Sequence, residues 1–305
     1  MNWQKNTTVI IPAFNEEQAI GECIETLLQN YPEIKINIIN DGSSDNTQSI
    51  AEGLQSKFQH NIKVFNHRIN RGYGAALKTG MRNVTTPYLV WFDADFQHDP
   101  ANLEGVVEPV FSAQVDACLG ARTKKSAFVI KRIPGKFILK IISQIVARQR
   151  IPDLNCGFRC FRTEVILKYL HLLPDGFSAS STSTLLMIKR NYRIQWFSLT
   201  VRERKGQSYV KIFRDGFQTL GLILRIFLLF DALLFFSTLA FVQLLFGVIY
   251  SLYMISTVNI GVPVLGALIM ISGLLTFFMG LISSQISQMR QERFENQVTN
   301  IELSQ

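Results

Sequence analysis

The sequence predicts an α/β domain with a mostly parallel central sheet, followed by interfacial helices and a hairpin of two transmembrane helices. Strand-like and helix-like patterns alternate through residues 7–122, and this alternation is typical of a parallel sheet covered by helices on both faces. Two apolar runs, at 232–255 and 260–284, contain no charged residue. Each run exceeds the roughly 20 residues that a helix needs to cross a bilayer.

The α/β part is predicted to contain five strands and three helices in alternation. The strands are short apolar runs rich in β-branched residues: "TTVIIPAF" (7–14), "IKINIIN" (34–40), "NIKVFNH" (61–67), "PYLVWF" (87–92) and "VDACLGAR" (115–122). The helices have apolar residues at helical spacing: "NEEQAIGECIETLLQN" (15–30), "SDNTQSIAEGLQSKF" (44–58) and "GYGAALKTGMRNV" (72–84). The first carries acids in its first turn, which suits the helix dipole, and the second opens with capping residues.

Polar clusters follow three of these strands. They are "PAFNE" (12–16), "NDGSSD" (40–45) and "DADFQHD" (93–99). In parallel sheets, ligands bind beyond the carboxyl ends of the strands. The three clusters are therefore expected to converge on one edge of the sheet and to form a binding site there.

Asp93 and Asp95 stand one residue apart at the end of the fourth strand. Two close carboxylates repel each other unless a cation lies between them. A hard divalent ion such as Mg²⁺ or Mn²⁺ takes oxygen ligands and commonly bridges carboxylates to phosphates. The alternative is a solvated, Asp-rich turn, but the two neighbouring polar clusters favour a metal and diphosphate site.

The chain is basic overall, with a net charge of +8 from 31 basic and 23 acidic residues. Its cysteine and glycine patterns argue against two other kinds of site. The scattered cysteines lack partners for a zinc site, which predicts buried, reduced thiols; they are Cys23, Cys118, Cys156 and Cys160. In "GYGAAL", Leu77 occupies the position where a dinucleotide-binding loop needs its third glycine. The N-terminus has no signal-peptide pattern, so the first domain is expected in the cytoplasm.

Residues 122–150 contain nine Lys or Arg and no acid. Within them, "KFILKIISQIVAR" (136–148) combines a basic stripe with a wide apolar face, which is typical of a helix at the lipid headgroup boundary. An ordinary helix packed on the domain core is the alternative. Because the basic residues lie next to the membrane and no stacking surface is suggested, nucleic acid is not an expected partner.

Four regions follow from these patterns. They are a cytoplasmic domain at 1–210, a juxtamembrane amphipathic helix at 211–230, two transmembrane helices within 231–284 and a cytoplasmic polar tail at 285–305. Basic residues flank the two spans on both outer sides, so the positive-inside rule places both flanks in the cytoplasm and the turn "STVN" (256–259) outside. The lipid-facing spans and the polar tail allow a homo-oligomer.

Taken together, the segments resemble the family 2 glycosyltransferases of the GT-A fold. The resemblance covers about residues 7–215 and rests on "VIIPAFNE", "NDGSSDNT", "NRGYGAALKTG" and "DADFQHDP". "DLNCGFRCFRTEV" (153–165) resembles the acceptor-side motif of the polyprenyl-phosphate glycosyltransferases, which include dolichol-phosphate mannosyltransferase. The sequence departs from the family pattern at Asn40, in place of the usual first Asp, and at Glu203 and Tyr209, in place of Arg and Lys.

The resemblance implies residues for each part of the site. The nucleotide-sugar site would comprise Pro12, Phe14, Glu16, Ile39, Asp41, Asp93, Ala94, Asp95 and Gln97. Mg²⁺ or Mn²⁺ would be bound by Asp93 and Asp95. The acceptor phosphate would be bound by basic residues, with Arg202, Arg204 or Lys211 replacing the missing Arg and Lys; the full set is Arg122, Lys131, Arg132, Arg159, Arg202, Arg204 and Lys211. The catalytic residues would be Asp93, Asp95, Arg122 and Asp153, the last either orienting an arginine or acting as a base toward an alcohol.

The expected reaction is an inverting, metal-assisted transfer from a nucleotide-diphosphate sugar to a polyprenyl phosphate of the undecaprenyl or dolichyl type. A phosphate monoester, with a second pKa of about 6, needs no deprotonation by the enzyme, and the sequence offers many basic residues but no obvious base. Two alternatives stay open: a glycolipid- or polysaccharide-forming enzyme with a hydroxyl acceptor, and a catalytically silent membrane scaffold. No tryptophan lies in the Gln-x-x-Arg-Trp context of processive synthases.

Overall fold

A computed structural model describes residues 2–95, 97–123, 144, 147, 149–176, 178–201, 221, 228, 231–258 and 261–302. It divides the chain into two compact units, residues 1–212 and 213–305. The candidate interfacial helix at 136–148 and the juxtamembrane helix at 211–230 lie almost wholly outside the described residues.

The first unit begins with the predicted alternation of strands and helices. The strands are β1 (Thr7–Ala13), β2 (Lys35–Asn40), β3 (Ile62–Asn66), β4 (Tyr88–Trp91) and β5 (Ala117–Arg122). The helices between them are α1 (Ile20–Asn30), α2 (Thr47–Lys57), α3 (Tyr73–Arg82) and α4 (Leu103–Phe111), the last preceded by a 3-10 turn at Pro100–Asn102. The five predicted strands are therefore confirmed. Helix α4 was not predicted from the sequence. Within the described part of the first unit, the same holds for the elements that come after β5, which are β6 (Arg159–Arg162), α5 (Thr163–Leu167), α6 (Ala179–Lys189) and β7 (Ile194–Leu199).

One sheet contains all seven strands, in the order β3-β2-β1-β4-β6-β5-β7. The β3-β2-β1-β4 pairs and the β5–β7 pair are parallel, whereas β6 is antiparallel to both β4 and β5. Parallel strands share the edge at which they end, so the loops after β1, β2, β4 and β5 lie on the same side of the sheet. Because β6 runs the other way, the chain segment that precedes it also lies at that edge.

Helix packing follows the apolar pattern of the sequence. Ile20, Cys23, Ile24 and Leu27 repeat at helical spacing along α1 and are fully buried in the core. Burying one such aliphatic side chain contributes about 1.5–3 kcal/mol. On α3, Gly80 permits a close approach to the sheet, since a methyl group there would lie 2.8 Å from Ile39 Cδ1. The four cysteines are free and buried, as predicted.

The first helix starts later than predicted. It begins at Ile20, so Glu16 and Glu17 lie in the loop before it, and only Glu22 is acidic in its first turn. Glu17 serves the second helix instead, because its Oε2 accepts hydrogen bonds from the backbone and side-chain nitrogens of Asn46, both at 3.0 Å. A tertiary contact thus overrides the local helix signal of the two acids.

In the second unit, the structure describes two long apolar helices, α7 (Ala232–Val258) and α8 (Val264–Glu302). Their segments Ala232–Val258 and Val264–Met289 are long and apolar enough to cross a membrane. Helix α7 extends to Val258, beyond the predicted end of the first span at 255, and α8 continues from Val264 through most of the predicted tail. Glycines at every seventh position of α8, Gly266, Gly273 and Gly280, face α7 at close range, as small residues do in packed membrane helices.

Candidate active site

The three polar clusters lie together at the carboxyl edge of the sheet. Ala13 of β1 is paired with Asn40 of β2, and β1 is also parallel to β4. The loops that leave these strands are thus neighbours, and "DADFQHD" follows directly from β4. The predicted convergence of the clusters is therefore confirmed by the strand pairing.

Hydrogen bonds join the loop after β1 to the loop after β2. Asn15 has a φ of 54°, its backbone N–H donates to Ser43 Oγ at 3.0 Å, and its Oδ1 accepts from the Ser44 N–H at 2.9 Å. The Glu16 N–H donates to Thr47 Oγ1 at 2.9 Å. These bonds fix the segment that carries Phe14, which is half-buried at this edge.

Asn40, at which the sequence departs from the family that it resembles, organises its own loop. Its Oδ1 accepts from the Ser43 N–H at 3.1 Å, and its side-chain nitrogen donates to Asn66 Oδ1 at 3.1 Å. An amide can donate and accept at once, which a carboxylate cannot do. The substitution therefore links the ends of β2 and β3.

Asp41 holds the turn before α3. Its Oδ1 accepts from the Arg71 N–H at 2.9 Å and lies 2.6 Å from His67 Nδ1, while its Oδ2 accepts from the Gly72 N–H at 2.8 Å. The carboxylate is almost fully buried, so its first role in the structure is to shape this loop. A contact with the nucleotide base stays a prediction.

Pro12 and Ile39 are paired in the middle of the sheet, near the ends of β1 and β2. The Ile39 side chain is fully buried and packs beneath α3, within reach of Gly80. The core thus encloses the Ile39 side chain, and the predicted place of Ile39 in the nucleotide-sugar site stays a prediction. Pro12 is also buried in β1.

Asp93 and Asp95 follow β4 on either side of the buried Ala94. Asp93 Oδ1 accepts a hydrogen bond from the Tyr73 hydroxyl at 2.9 Å, and the side chain is 27% exposed. Asp95 Oδ1 accepts from the Gln97 N–H at 3.1 Å. Both carboxylates are hard oxygen donors of the kind that Mg²⁺ and Mn²⁺ take, so the residues fit a divalent ion.

The two carboxylates would supply only part of the coordination shell of such an ion, and its remaining ligands would be other groups. Among the described residues, no group of three or more His, Cys, Asp or Glu could hold a metal. Two carboxylates alone are typical of a site that is completed by substrate phosphates and water. His98 Nε2 lies 3.7 Å from Asp93 Oδ2, and its ring is buried between Phe92 and Phe158.

Arg122 and Asp153 form a bidentate ion pair at the same edge of the sheet. Arg122 Nε donates to Asp153 Oδ2 at 2.6 Å and Arg122 Nη2 to Oδ1 at 2.9 Å. The Arg122 side chain is 40% exposed, while that of Asp153 is 10% exposed. Hydrogen bonding to Asp153 raises the pKa of Arg122. Burial alone would raise the pKa of Asp153, but the hydrogen bonds and charge of Arg122 outweigh it and lower that pKa.

Arg159, at the start of β6, lies inside the protein. It is fully buried, and its guanidinium donates to the carbonyl oxygens of Cys156 at 2.6 Å, Leu154 at 3.0 Å and Ser180 at 2.6 Å. Two further bonds reach the hydroxyls of Ser183 and Thr184. These contacts tie the loop before β6 to helix α6. The acceptor-phosphate role of Arg159 stays a prediction, and the contacts described for its guanidinium are to the protein's own oxygens.

The other predicted phosphate-binding residues cannot be placed. They lie outside the described residues and are Lys131, Arg132, Arg202, Arg204 and Lys211. Two residues at this edge make contacts that the sequence did not predict. The Tyr73 hydroxyl, at the start of α3, donates to Asp93 Oδ1 at 2.9 Å, and Asn155 Oδ1 accepts from Ser181 Oγ at 2.6 Å. Each contact joins residues that are distant in sequence, so no local pattern indicates it.

Comparisons with known proteins are consistent with this geometry. The family model described as glycosyl transferase family 2 matches residues 8–170 of the 305. The chain is 33% identical over 197 residues to an uncharacterized protein of Methanocaldococcus jannaschii, covering 61% of this chain and 77% of that one. It is 27% identical over 202 residues to the UDP-N-acetylglucosamine–dolichyl-phosphate N-acetylglucosaminyltransferase of Methanococcus voltae, covering 60% and 80%.

A solved structure shares the fold. Glucosyl-3-phosphoglycerate synthase from Mycobacterium tuberculosis, in complex with Mn²⁺, uridine diphosphate and phosphoglyceric acid, superposes with a TM-score of 0.58 at 16% identity. The match covers 72% of this chain and 78% of that one. The seven-stranded, mostly parallel sheet is thus the predicted GT-A fold.

Proposed function

Because the chain belongs to the family 2 glycosyltransferases, we propose that it transfers a sugar, with inversion, from a nucleotide-diphosphate sugar to a polyprenyl phosphate. The observation that carries this proposal is the Arg122–Asp153 pair, which presents a partly exposed guanidinium beside an already occupied carboxylate. This arrangement suits an anionic acceptor that needs positioning and charge neutralisation.

On the donor side, Asp93 and Asp95 would hold Mg²⁺ or Mn²⁺. When bound, such an ion neutralises charge on the departing diphosphate. Asp93 is partly exposed, so a diphosphate can approach it, while Asp95 is nearly buried. The related solved enzyme in complex with Mn²⁺ and uridine diphosphate supports a divalent ion in this fold. The joined loops that carry Phe14 and Glu16 would position the nucleoside.

On the acceptor side, the charge state of a phosphate monoester makes a base unnecessary. Its second pKa of about 6 leaves it largely dianionic at neutral pH, so the attacking oxygen already carries charge. Asp153 has a lowered pKa and two bonds to Arg122, which makes it a poor proton acceptor and a good orienting group. A hydroxyl acceptor, which needs a base, is therefore less well served by the described residues.

The acceptor class also agrees with a relative and with the second unit. The Methanococcus voltae relative is named for transfer to dolichyl phosphate. Apolar side chains of α7 and α8 are largely exposed, among them Phe241 at 65% and Leu275 at 60%, which is typical of contact with lipid and not of a soluble core. We propose that these helices anchor the enzyme, with its catalytic unit in the cytoplasm and both basic flanks on that side.

An acceptor assay tests the proposal. Membranes containing the enzyme would be given a panel of labelled nucleotide sugars with either polyprenyl phosphate or diacylglycerol, with and without a chelator. Labelled polyprenyl-phosphate sugar that requires the divalent ion is the expected product. Labelled diacylglycerol as the sole lipid product would refute the phosphate acceptor, and undiminished synthesis in chelator would refute the metal.

A further inference from the structure

Asp93 is enclosed by two segments that are distant in sequence. The Tyr73 hydroxyl donates to Oδ1 at 2.9 Å. Gly157 packs against the same carboxylate, since a methyl group on Gly157 would overlap both carboxylate oxygens. One carboxylate oxygen of Asp93 thus accepts a hydrogen bond, while the carboxylate packs against Gly157, which has no side chain. These contacts restrict how the carboxylate can rotate.

The backbone around Tyr73 is itself held from two sides. Gly72, which precedes it, has a φ of 99°, and its N–H donates to Asp41 Oδ2 at 2.8 Å. A methyl group on Gly72 would lie 2.6 Å from the Asp175 carbonyl oxygen, and the Ala75 N–H donates to that oxygen at 3.0 Å. Tyr73 therefore enters α3 from a fixed position.

The phenol is suited to donate a hydrogen bond. A phenol has an ordinary pKa of about 10 and is protonated at neutral pH, so the Tyr73 hydroxyl can donate a hydrogen bond to Asp93 Oδ1 at 2.9 Å. A hydrogen bond to a charged acceptor is among the stronger ones in proteins.

Gly157 is fixed as firmly as Tyr73. The buried Arg159 donates to the carbonyl oxygens of Leu154 and Cys156 in the same loop. That loop also carries Asp153, the partner of Arg122. Any displacement of the loop before β6 would thus reach the Asp93 carboxylate directly.

We propose that Tyr73 and Gly157 are positioning residues that fix the Asp93 carboxylate in the orientation in which it binds the divalent ion. The inference rests on the proposed role of Asp93 as a metal ligand. Neither residue is proposed as a ligand of the ion. The Tyr73 hydroxyl holds Asp93 through a hydrogen bond, and Gly157 leaves the space that the Asp93 carboxylate occupies. Groups that orient metal ligands typically change metal affinity by about 10–100-fold when removed.

The test measures Mn²⁺ binding to the full-length enzyme in detergent, in the presence of uridine or guanosine diphosphate, from the EPR signal of free Mn²⁺. Tyr73→Phe, which removes only the hydroxyl, is expected to raise the Kd for Mn²⁺ by about 10–100-fold. Tyr88→Phe is the matched control, because the Tyr88 hydroxyl lies 3.5 Å from the Phe111 carbonyl oxygen, at the other end of β4. It should bind Mn²⁺ like the wild type.

Gly157→Ala provides a second, independent variant that keeps the hydroxyl, with Gly53→Ala as its control, since nothing lies within 4 Å of a methyl group at position 53. Wild-type affinity in Tyr73→Phe overturns the role of Tyr73, and wild-type affinity in Gly157→Ala overturns that of Gly157. Asp93→Asn distinguishes a failure of the proposed metal site from a failure of the positioning inference. If Asp93→Asn binds Mn²⁺ like the wild type, the metal site of the proposed function is refuted. If Asp93→Asn loses Mn²⁺ binding while Tyr73→Phe and Gly157→Ala keep it, only the positioning inference is refuted.

Discussion

Arg122 and Asp153 are joined by two parallel hydrogen bonds of 2.6 and 2.9 Å, and the arginine is the more exposed of the two. The backbone N–H of Asn155 donates a further bond to Asp153 Oδ1 at 3.0 Å. A carboxylate with this many donors is an orienting group. It holds one edge of the guanidinium through Nε and Nη2, and we propose that the remaining nitrogen, Nη1, binds an anionic ligand.

Asp153→Asn should weaken acceptor binding more than it slows turnover. The charge-assisted pair is worth about 1.5–3 kcal/mol, so kcat/KM for polyprenyl phosphate should fall about 10–100-fold, mainly through KM. Steady-state kinetics with varied acceptor will measure this effect. A loss confined to kcat, of the 10²–10⁴-fold size typical of a missing general base, would contradict the orienting role.

The same pair predicts how stability depends on pH. The pKa of Asp153 is lowered in the folded protein, so its contribution is fully present above the unfolded pKa of about 3.9. It is lost as the pH falls through the lower, folded value, because protonation breaks the pair. Chemical unfolding at a series of acidic pH values should show a shallower loss in Asp153→Asn than in the wild type. Identical slopes would show that the pair contributes no such linkage.

Arg159→Met should destabilise the catalytic unit by on the order of 2–4 kcal/mol, because the buried carbonyl oxygens of Leu154, Cys156 and Ser180 would each lose a hydrogen bond. Arg193→Met is the contrasting control: Arg193 is 58% exposed and paired with Asp116, and such surface pairs are worth about 0–1 kcal/mol. Denaturant unfolding followed by tryptophan fluorescence reports both values. Equal, small effects would contradict the structural role of Arg159.

Two glycines in helices should respond in opposite ways to alanine. A methyl group on Gly74, in the first turn of α3, would overlap the carbonyl oxygens of Pro174 and Gly176, and such overpacking costs about 1–3 kcal/mol. Gly53 in α2 has open space around it, so alanine there should stabilise by about 0.5–1 kcal/mol. Thermal unfolding of the two variants should shift in opposite directions; a shift in the same direction would be inconsistent with the packing described.

Part of this site could be predicted from the sequence, because the ends of parallel strands meet at one edge of the sheet. Asp41, Asp93 and Asp95 follow apolar runs directly, and the rule for parallel sheets then brings them to one edge. The burial of Arg159 could not be predicted in this way, because it depends on an antiparallel strand between β4 and β5 and on hydroxyls more than 20 residues away. A basic residue in a basic segment is indistinguishable, locally, from one that binds phosphate.

The contact between Tyr73 and Asp93 shows the same limit. Tyr73 starts a helix after the third strand, and Asp93 follows the fourth. Only the packing of α3 on the sheet brings the Tyr73 hydroxyl to 2.9 Å from Asp93 Oδ1. Likewise, Glu17 fits the first turn of a helix by its charge, but its bonds to Asn46 place it before the helix. Hydrogen bonds between distant segments decide both cases.

We propose that a divalent ion binds at the end of β4, where it would offset the charge of a diphosphate. Anomalous diffraction at the manganese edge, from crystals soaked with Mn²⁺ and a nucleoside diphosphate, would locate that ion. We predict one strong peak within coordination distance of Asp93 or Asp95 and of the diphosphate oxygens. A well-occupied manganese and diphosphate site away from both carboxylates would rule out this metal site.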